Sequence, residues 1–204
     1  MVHLITLAPG HFHAALIHKE QLPDVDPHVR VYGPLDGDLL THLEHLRRFN
    51  ARPVRPTHWT VGVYAGPDFL DRFRAERPGD TVVIAGRNKP KIDLILAAVS
   101  AGLNVLADKP WVIDPSDLPK LDEVFRTADR HGVLAWDVMT ERHEVTTRLQ
   151  RALMATPAVF GYPVRGTVEK PALELESVHY LAKSVAGAPL VRPAWWFDPA
   201  VAGT

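Results

Sequence analysis

The 204-residue chain contains no cysteine. That excludes disulfides, thiolate metal sites and thiol nucleophiles, so any metal would need histidine and carboxylate ligands. Long apolar runs are missing too. No stretch approaches the roughly 20 residues that cross a bilayer, and Met1-Val2-His3 leads into a strand rather than a secretory signal. A cytoplasmic protein is the expectation. Charge of one sign is also lacking: 23 Lys+Arg against 24 Asp+Glu leave a formal net charge of -1, no field to gather nucleic acid or anionic lipid. Neither class of partner, nucleic acid or membrane, is expected. The G-x-S-x-G elbow and the G-x-x-x-x-G-K-[ST] phosphate loop are absent, so serine-hydrolase and P-loop chemistry have no support.

What is present is enough apolar content, 46%, for an ordinary buried core, in a length suited to one full domain and part of a second. Short β-rich runs alternate with helical patterns of about a dozen residues, the grammar of repeated βαβ units. Strands are expected at Val2 to Leu7, His28 to Tyr32, Trp59 to Tyr64, Thr81 to Ala85, Leu103 to Ala107 and Val133 to Trp136. Between them lie helices at His13 to Gln21, Asp38 to Phe49, after Pro67-Asp68, Ile92 to Ala101, and from a cap at Ser116 through Ala128. Six alternations predict a Rossmann-like, doubly wound parallel α/β sheet over residues 1–139. Beyond it the pattern changes. A helix is expected from Thr140 to Met154, a β-leaning, Pro-rich region from Val159-Phe160-Gly161, and another helix around Glu174 to Val185. Residues 140–204 read as a linker helix and the start of a second, α+β domain, shorter than most independent substrate domains and hence suggestive of a truncated chain.

Ligands of open α/β sheets sit at the carboxyl ends of strands, which directs attention to Leu4 to Leu16, "LITLAPGHFHAAL". In a G-x-G-x-x-G turn the glycines allow the bend, the close approach of a pyrophosphate, and helix-sheet contact. Here Ala8, Gly10 and His13 hold those places. An imidazole at position 13 must push the helix outward or point aside. The turn reads equally as a modified dinucleotide turn or an ordinary βα connection. A third reading takes His11 and His13 as metal ligands of a hydrolase, but two histidines are not a site, and no metal is assigned. The ribose-binding acid expected near residue 32 is absent: Tyr32-Gly33-Pro34 stands there, with Asp36 two residues beyond. His143-Glu144 lacks the second histidine of a zincin helix and reads as a solvated face. In "AGLNVLADKPW", Ala101 to Trp111, a buried strand delivers Asp108-Lys109-Pro110 to the ligand-binding edge, where Pro110 holds Lys109 extended and can itself be cis.

These motifs, in order, resemble the Gfo/Idh/MocA oxidoreductases, in a divergent branch. The family's Glu-Lys-Pro is matched by Asp108-Lys109-Pro110, and its "v.iatpN" turn by Val83-Ile84-Ala85-Gly86-Arg87-Asn88. Its arginine-containing segment falls at Met139 to Glu144, and the "iG" opening its second domain at Val159-Phe160-Gly161. The resemblance implies NAD or NADP as cofactor, without separating the two, and hydride transfer to or from a sugar- or cyclitol-like substrate. It implies a cofactor surface of Ala8, Pro9, Gly10, His11, Phe12, His13, Gly86, Asn88, Asp108, Lys109 and Pro110. Gly10, His11 and Phe12 would line the pyrophosphate, Asn88 the ribose, and Lys109, the catalytic residue, the nicotinamide and substrate hydroxyl. It also implies a homo-oligomer formed through the second domain. The family's acid-base histidine, on an Asp-x-Gly-x-His-x-x-Asp helix, has no counterpart in the chain. A dinucleotide-binding sensor without catalysis is the alternative.

Overall fold

The computed structural model describes residues 1–138, 143–162, 164–174, 184–185 and 187–203. Two compact units result, Met1–Val138 together with Pro193–Thr204, and Met139–Arg192.

In the first unit the chain runs β1 (Leu4–Leu7), α1 (His13–Leu16), β2 (His28–Gly33), α2 (Gly37–Ala51), β3 (Thr60–Ala65), α3 (Phe69–Glu76), β4 (Thr81–Ile84), α4 (Lys91–Ser100), β5 (Asn104–Ala107), α5 (Leu118–His131) and β6 (Ala135–Asp137). The six strands form one sheet in the order β3-β2-β1-β4-β5-β6, every pair parallel. Strand order reverses between β1 and β4, the place where open α/β sheets form their ligand crevice. β1 and β4 are buried along their whole length, which is why they read as unbroken apolar runs. On one face Ile5, Leu7, Val82, Ile84 and Val105 pack against Ile92, Ile95 and Val99 of α4 and Val124 of α5. On the other, Val29, Val31, Leu39 and Trp59 form one cluster and Ala15, Leu46 and Phe49 another.

The doubly wound sheet expected from the sequence is therefore present, with local differences that have local causes. α1 ends at Leu16 rather than Gln21, and the His18 carbonyl that would extend it accepts a hydrogen bond from Trp59 Nε1 at 2.6 Å. Ser116 does not cap α5. Asp114 instead accepts from the Ser116 amide at 2.9 Å, closing a 3-10 turn over Pro115–Asp117, and α5 starts at Leu118. α4 passes into β5 through Gly102, whose φ of +75° is a left-handed conformation natural to glycine.

In the second unit, α6 spans Val145–Met154, with the Glu144 side chain accepting from the Thr147 amide at 2.7 Å, so the helix is shorter than the Thr140 to Met154 expected. Val159-Phe160 is not β: it closes a one-turn helix, α7 (Pro157–Phe160), which Pro157 starts. Of the helix expected around Glu174 to Val185, residues 175–183 lie outside the described residues, and Ser184–Val185 is a short strand, β7, antiparallel to β8 (Ala188–Pro189). Residues 193–203, read from sequence as part of the second domain, pack on the first unit. There the final helix, α8 (Pro199–Ala202), is joined to the β4–α4 turn by the Lys89 amide, which donates to Val201 O at 3.1 Å.

Two histidines lie in the core beside β3. His18 is fully buried, His42 is 3% exposed, and their rings meet edge to face at 6.0 Å. Burial holds the His18 pKa down at about 4 and, with the neighbouring His18 and His45, that of His42 at about 3. Both side chains gain protons more readily unfolded than folded, so stability is complete above about 6.5 and falls on acidification toward 4. Urea unfolding at pH 7 and pH 5 should show a loss on the order of 1 kcal/mol per histidine per pH unit, and His42→Leu should flatten the dependence. An unchanged pH slope in that variant would assign the effect elsewhere.

Candidate functional site

Two turns meet at the carboxyl edge of the sheet. The β1–α1 turn opens with Ala8 at a φ of +46°, left-handed backbone that costs a non-glycine residue about 1 kcal/mol. Gly10 and His11 both donate their amides to Ala85 O, at 3.0 Å each, tying this turn to the β4–α4 turn. At Gly86 the backbones are so close that a Cβ would stand 2.3 Å from Ala8 O. Only glycine fits there. The resemblance counts Gly86 among the cofactor-surface residues, and the contact that requires a glycine here is between two backbones.

His13 settles the question raised by its size. Its ring points aside, with Nδ1 2.9 Å from Asp108 Oδ2, and the following Ala14 and Ala15 are buried, so α1 keeps its contact with the sheet. His11 Nδ1 lies 3.3 Å from the same oxygen without hydrogen-bond geometry, and its ring stacks on Trp196 at 5.2 Å and 14°. Burial first, then the neighbouring His13 charge, hold the His11 pKa at about 4 against the pull of Asp108. For Asp108, burial opposes ionisation, but the two imidazoles outweigh it and keep the carboxyl below the usual carboxylate range. The three side chains offer ligating atoms that all fall within 4.8 Å of one another. The histidine pair thus has the third donor that its sequence neighbourhood did not supply.

Two clefts flank this cluster. The smaller, about 180 Å³, lies among Ala8, Pro9, Gly10, Pro34, Asp36, Asp38 and Arg87. Arg87 reaches Asp38 Oδ2 at 3.2 Å and Asp36 Oδ2 at 3.4 Å. Burial and the Asp36 charge raise the Asp38 pKa, while Arg87 opposes the rise. The larger, about 600 Å³, is lined by Asn88, Lys109, Pro110, Ile113, Asp114, Trp196 and Gly203 among others. The Lys109-Pro110 peptide is cis. Asn88 Nδ2 donates to Ala202 O at 2.5 Å, so residues 193–203 form a wall of this cleft. Among the site residues read from sequence, Ala8, Pro9 and Gly10 border the first cleft, Asn88, Lys109 and Pro110 the second, and His11, His13 and Asp108 stand together between them. Phe12 packs its ring against both His11 and His13, at 4.4 Å from each.

Lys91 escaped the sequence reading. It opens α4, is 1% exposed, and donates from Nζ to Asn88 Oδ1 at 2.6 Å and to Lys109 O at 3.4 Å. A cation in the first turn of an apolar helix is unfavourable with the helix dipole, and that oddity was the available signal. It ties the Asn88 side chain to the Lys109 backbone.

The site defines a class: a Rossmann-like α/β domain whose ligand edge carries an Asn and a Lys-Pro pair on neighbouring strand ends. Residues 149–204 match the family described as "Putative oxidoreductase C terminal domain". A crystal structure described as a putative oxidoreductase from Parabacteroides merdae is 44% identical, with a TM-score of 0.88, over 99% of this chain and 46% of that one. Two more distant structures share the fold. Myo-inositol 2-dehydrogenase from Lactobacillus plantarum is 15% identical, with a TM-score of 0.54 over 77% of this chain and 42% of that one. Biliverdin reductase from Synechocystis, in complex with biliverdin and NADP+, is 13% identical, with a TM-score of 0.53 over 75% and 43%. No curated protein matches the chain. The chain spans a little under half the length of the solved structures it matches. The chain belongs to the family of the Parabacteroides putative oxidoreductase, and it shares its fold with the dehydrogenase and the reductase, as the resemblance to the Gfo/Idh/MocA oxidoreductases implied.

Burial lowers the Lys91 pKa to about 8, Lys109 adding to the effect and Asp108 opposing it. Unfolded, the amine stays protonated to about 10.4, so from pH 8 to 10.4 the unfolded chain binds more protons and stability rises with pH. Relative to Lys91→Met, the wild type should gain on the order of 1 kcal/mol per pH unit across that window, measured as the difference in urea midpoints at pH 7.5 and 9.5. A constant difference would show that the lysine is folded in its charged form without penalty.

Proposed function

We propose that the chain is the cofactor-binding part of an NAD(P)-dependent oxidoreductase acting on a sugar- or polyol-like hydroxyl or carbonyl compound. The observation that carries this reading is the pair of clefts at the reversal point of the sheet, the second presenting Asn88, Lys109 and Pro110 together. The residues fit the group at both ends. Asp36 and Asp38 would offer carboxylates to ribose hydroxyls in the smaller cleft, and the larger, with Trp196 and Pro110 in its wall, would take a flat ring. Between them the Gly10 and His11 amides are committed to Ala85 O, so a pyrophosphate would meet the Arg87 guanidinium, which would exchange its pairing with Asp36 and Asp38 for the phosphates. Ala8, Pro9, Phe12 and Gly86 shape the turn beneath it. His11, His13 and Asp108 stand between the two ends.

Bound nicotinamide would supply a hydride acceptor or donor at its ring. The protein's part is to hold the reacting carbon in place and to stabilise the alkoxide that develops on its oxygen. In this reading Lys109, an exposed residue in the wall of the larger cleft, does the second, as hydrogen-bond donor or proton relay. Lys91 fixes the backbone that carries it. A second reading, dinucleotide binding without turnover, keeps both clefts but assigns no chemistry to Lys109. Cytoplasmic location and pairing through the second domain complete the proposal.

Titration with NADH and NADPH, followed by nicotinamide fluorescence, should show binding of one or both, and a panel of sugars and cyclitols should then reveal turnover in the whole protein. Lys109→Ala should lower turnover by two or more orders of magnitude with cofactor affinity little changed. Binding without turnover on any substrate would favour the second reading. Failure to bind either dinucleotide would defeat both.

A further inference from the structure

We propose that His11, His13 and Asp108 form a site for one divalent first-row metal ion at the carboxyl edge of the sheet. Their donor atoms converge: His11 Nδ1 and His13 Nδ1 lie 3.3 and 2.9 Å from Asp108 Oδ2. Ligands about 2.0–2.1 Å from a tetrahedral zinc ion stand roughly 3.3 Å from each other, so a cation fits with small adjustments. Two further observations point to a ligand. The His11 side chain is 8% exposed and that of Asp108 5%. Yet among the described residues neither ring nitrogen of His11, nor the Oδ1 of Asp108, makes a hydrogen bond. Buried polar atoms left without a hydrogen bond destabilise the fold, and a cation shared by the three side chains would satisfy part of that deficit.

The donor chemistry narrows the ion. Two imidazoles and a carboxylate suit zinc, iron or manganese better than calcium or magnesium, which prefer oxygen alone. Three protein ligands leave coordination open to a small oxygen ligand. The larger cleft adjoins the cluster through Trp196, stacked on His11, and through Lys109, next in the chain to Asp108. An oxygen of an alcohol, carbonyl or carboxylate in that cleft is the ligand class the open position would take. The inference stands on the side chains themselves and does not rest on dinucleotide binding.

The test is calorimetric titration of the EDTA-treated chain with Zn2+ alone, in the absence of nucleotide. One ion per chain is expected. Asp108→Asn and His13→Asn should each weaken binding at least tenfold. A double variant, His3→Ala with His28→Ala, should leave it unchanged, since it dismantles the exposed His3-Asp26-His28 group that is the competing surface site. Circular dichroism melting of each variant without metal separates lost ligation from lost folding. Should Asp108→Asn and His13→Asn fail to fold, Co2+ added to the wild type reads the site directly, through the visible absorption of a four- or five-coordinate ion. Unchanged affinity in the folded ligand variants, loss in the surface variant, or no such Co2+ spectrum would each overturn the proposal. NADH titration of the same samples keeps its failure distinct from that of the oxidoreductase reading.

Discussion

Everything at the ligand edge depends on how closely two backbone turns approach each other. Ala85 offers one carbonyl to the amides of Gly10 and His11, and Ala8 turns its own carbonyl onto the Cα of Gly86. With no side chain at Gly86 and left-handed backbone at Ala8, the ends of β1 and β4 are locked side by side. That lock sets where His11 and His13 emerge, and so why both reach Asp108 at the end of β5. It also gives the turn a task besides ligand binding. A loop evolved only to cradle phosphate would keep those two amides outward.

The same lock explains the division of charge along the edge. Arg87, following Gly86, is thrust out between Asp36 and Asp38, while Asn88 turns inward to Lys91 and Ala202. One side of the turn is therefore salt-bridged and half exposed, and on the other Asn88 and the Lys109 carbonyl are held by the buried Lys91. The two clefts differ in chemistry because successive residues of a single turn face opposite ways.

Much of the fold was legible because burial on both faces leaves an unmistakable pattern. Runs such as Thr81-Val82-Val83-Ile84 admit few alternatives to a central parallel strand. What could not be read depended on tertiary partners. The early end of α1 follows from Trp59, 41 residues away, reaching the His18 carbonyl. Asp114 outcompeted Ser116 as a cap because Pro115 starts a turn there. At the site, the histidine pair and Asp108-Lys109-Pro110 were each visible, but their meeting, across 95 residues, is a property of the strand order alone. Lys91 went unnoticed because a lysine in an amphipathic window is normally assigned to water.

The wall that residues 193–203 contribute to the larger cleft has a consequence for how the site comes into being. The sheet is complete once Asp137 has been made, whereas Trp196 and Ala202 close on His11 and Asn88 from more than a hundred residues downstream of them. On a growing chain the strands can therefore zip together while the binding edge is still bare, and the cleft is finished only after the intervening unit has been synthesised. Assembly of the scaffold and assembly of the site are separate events in time.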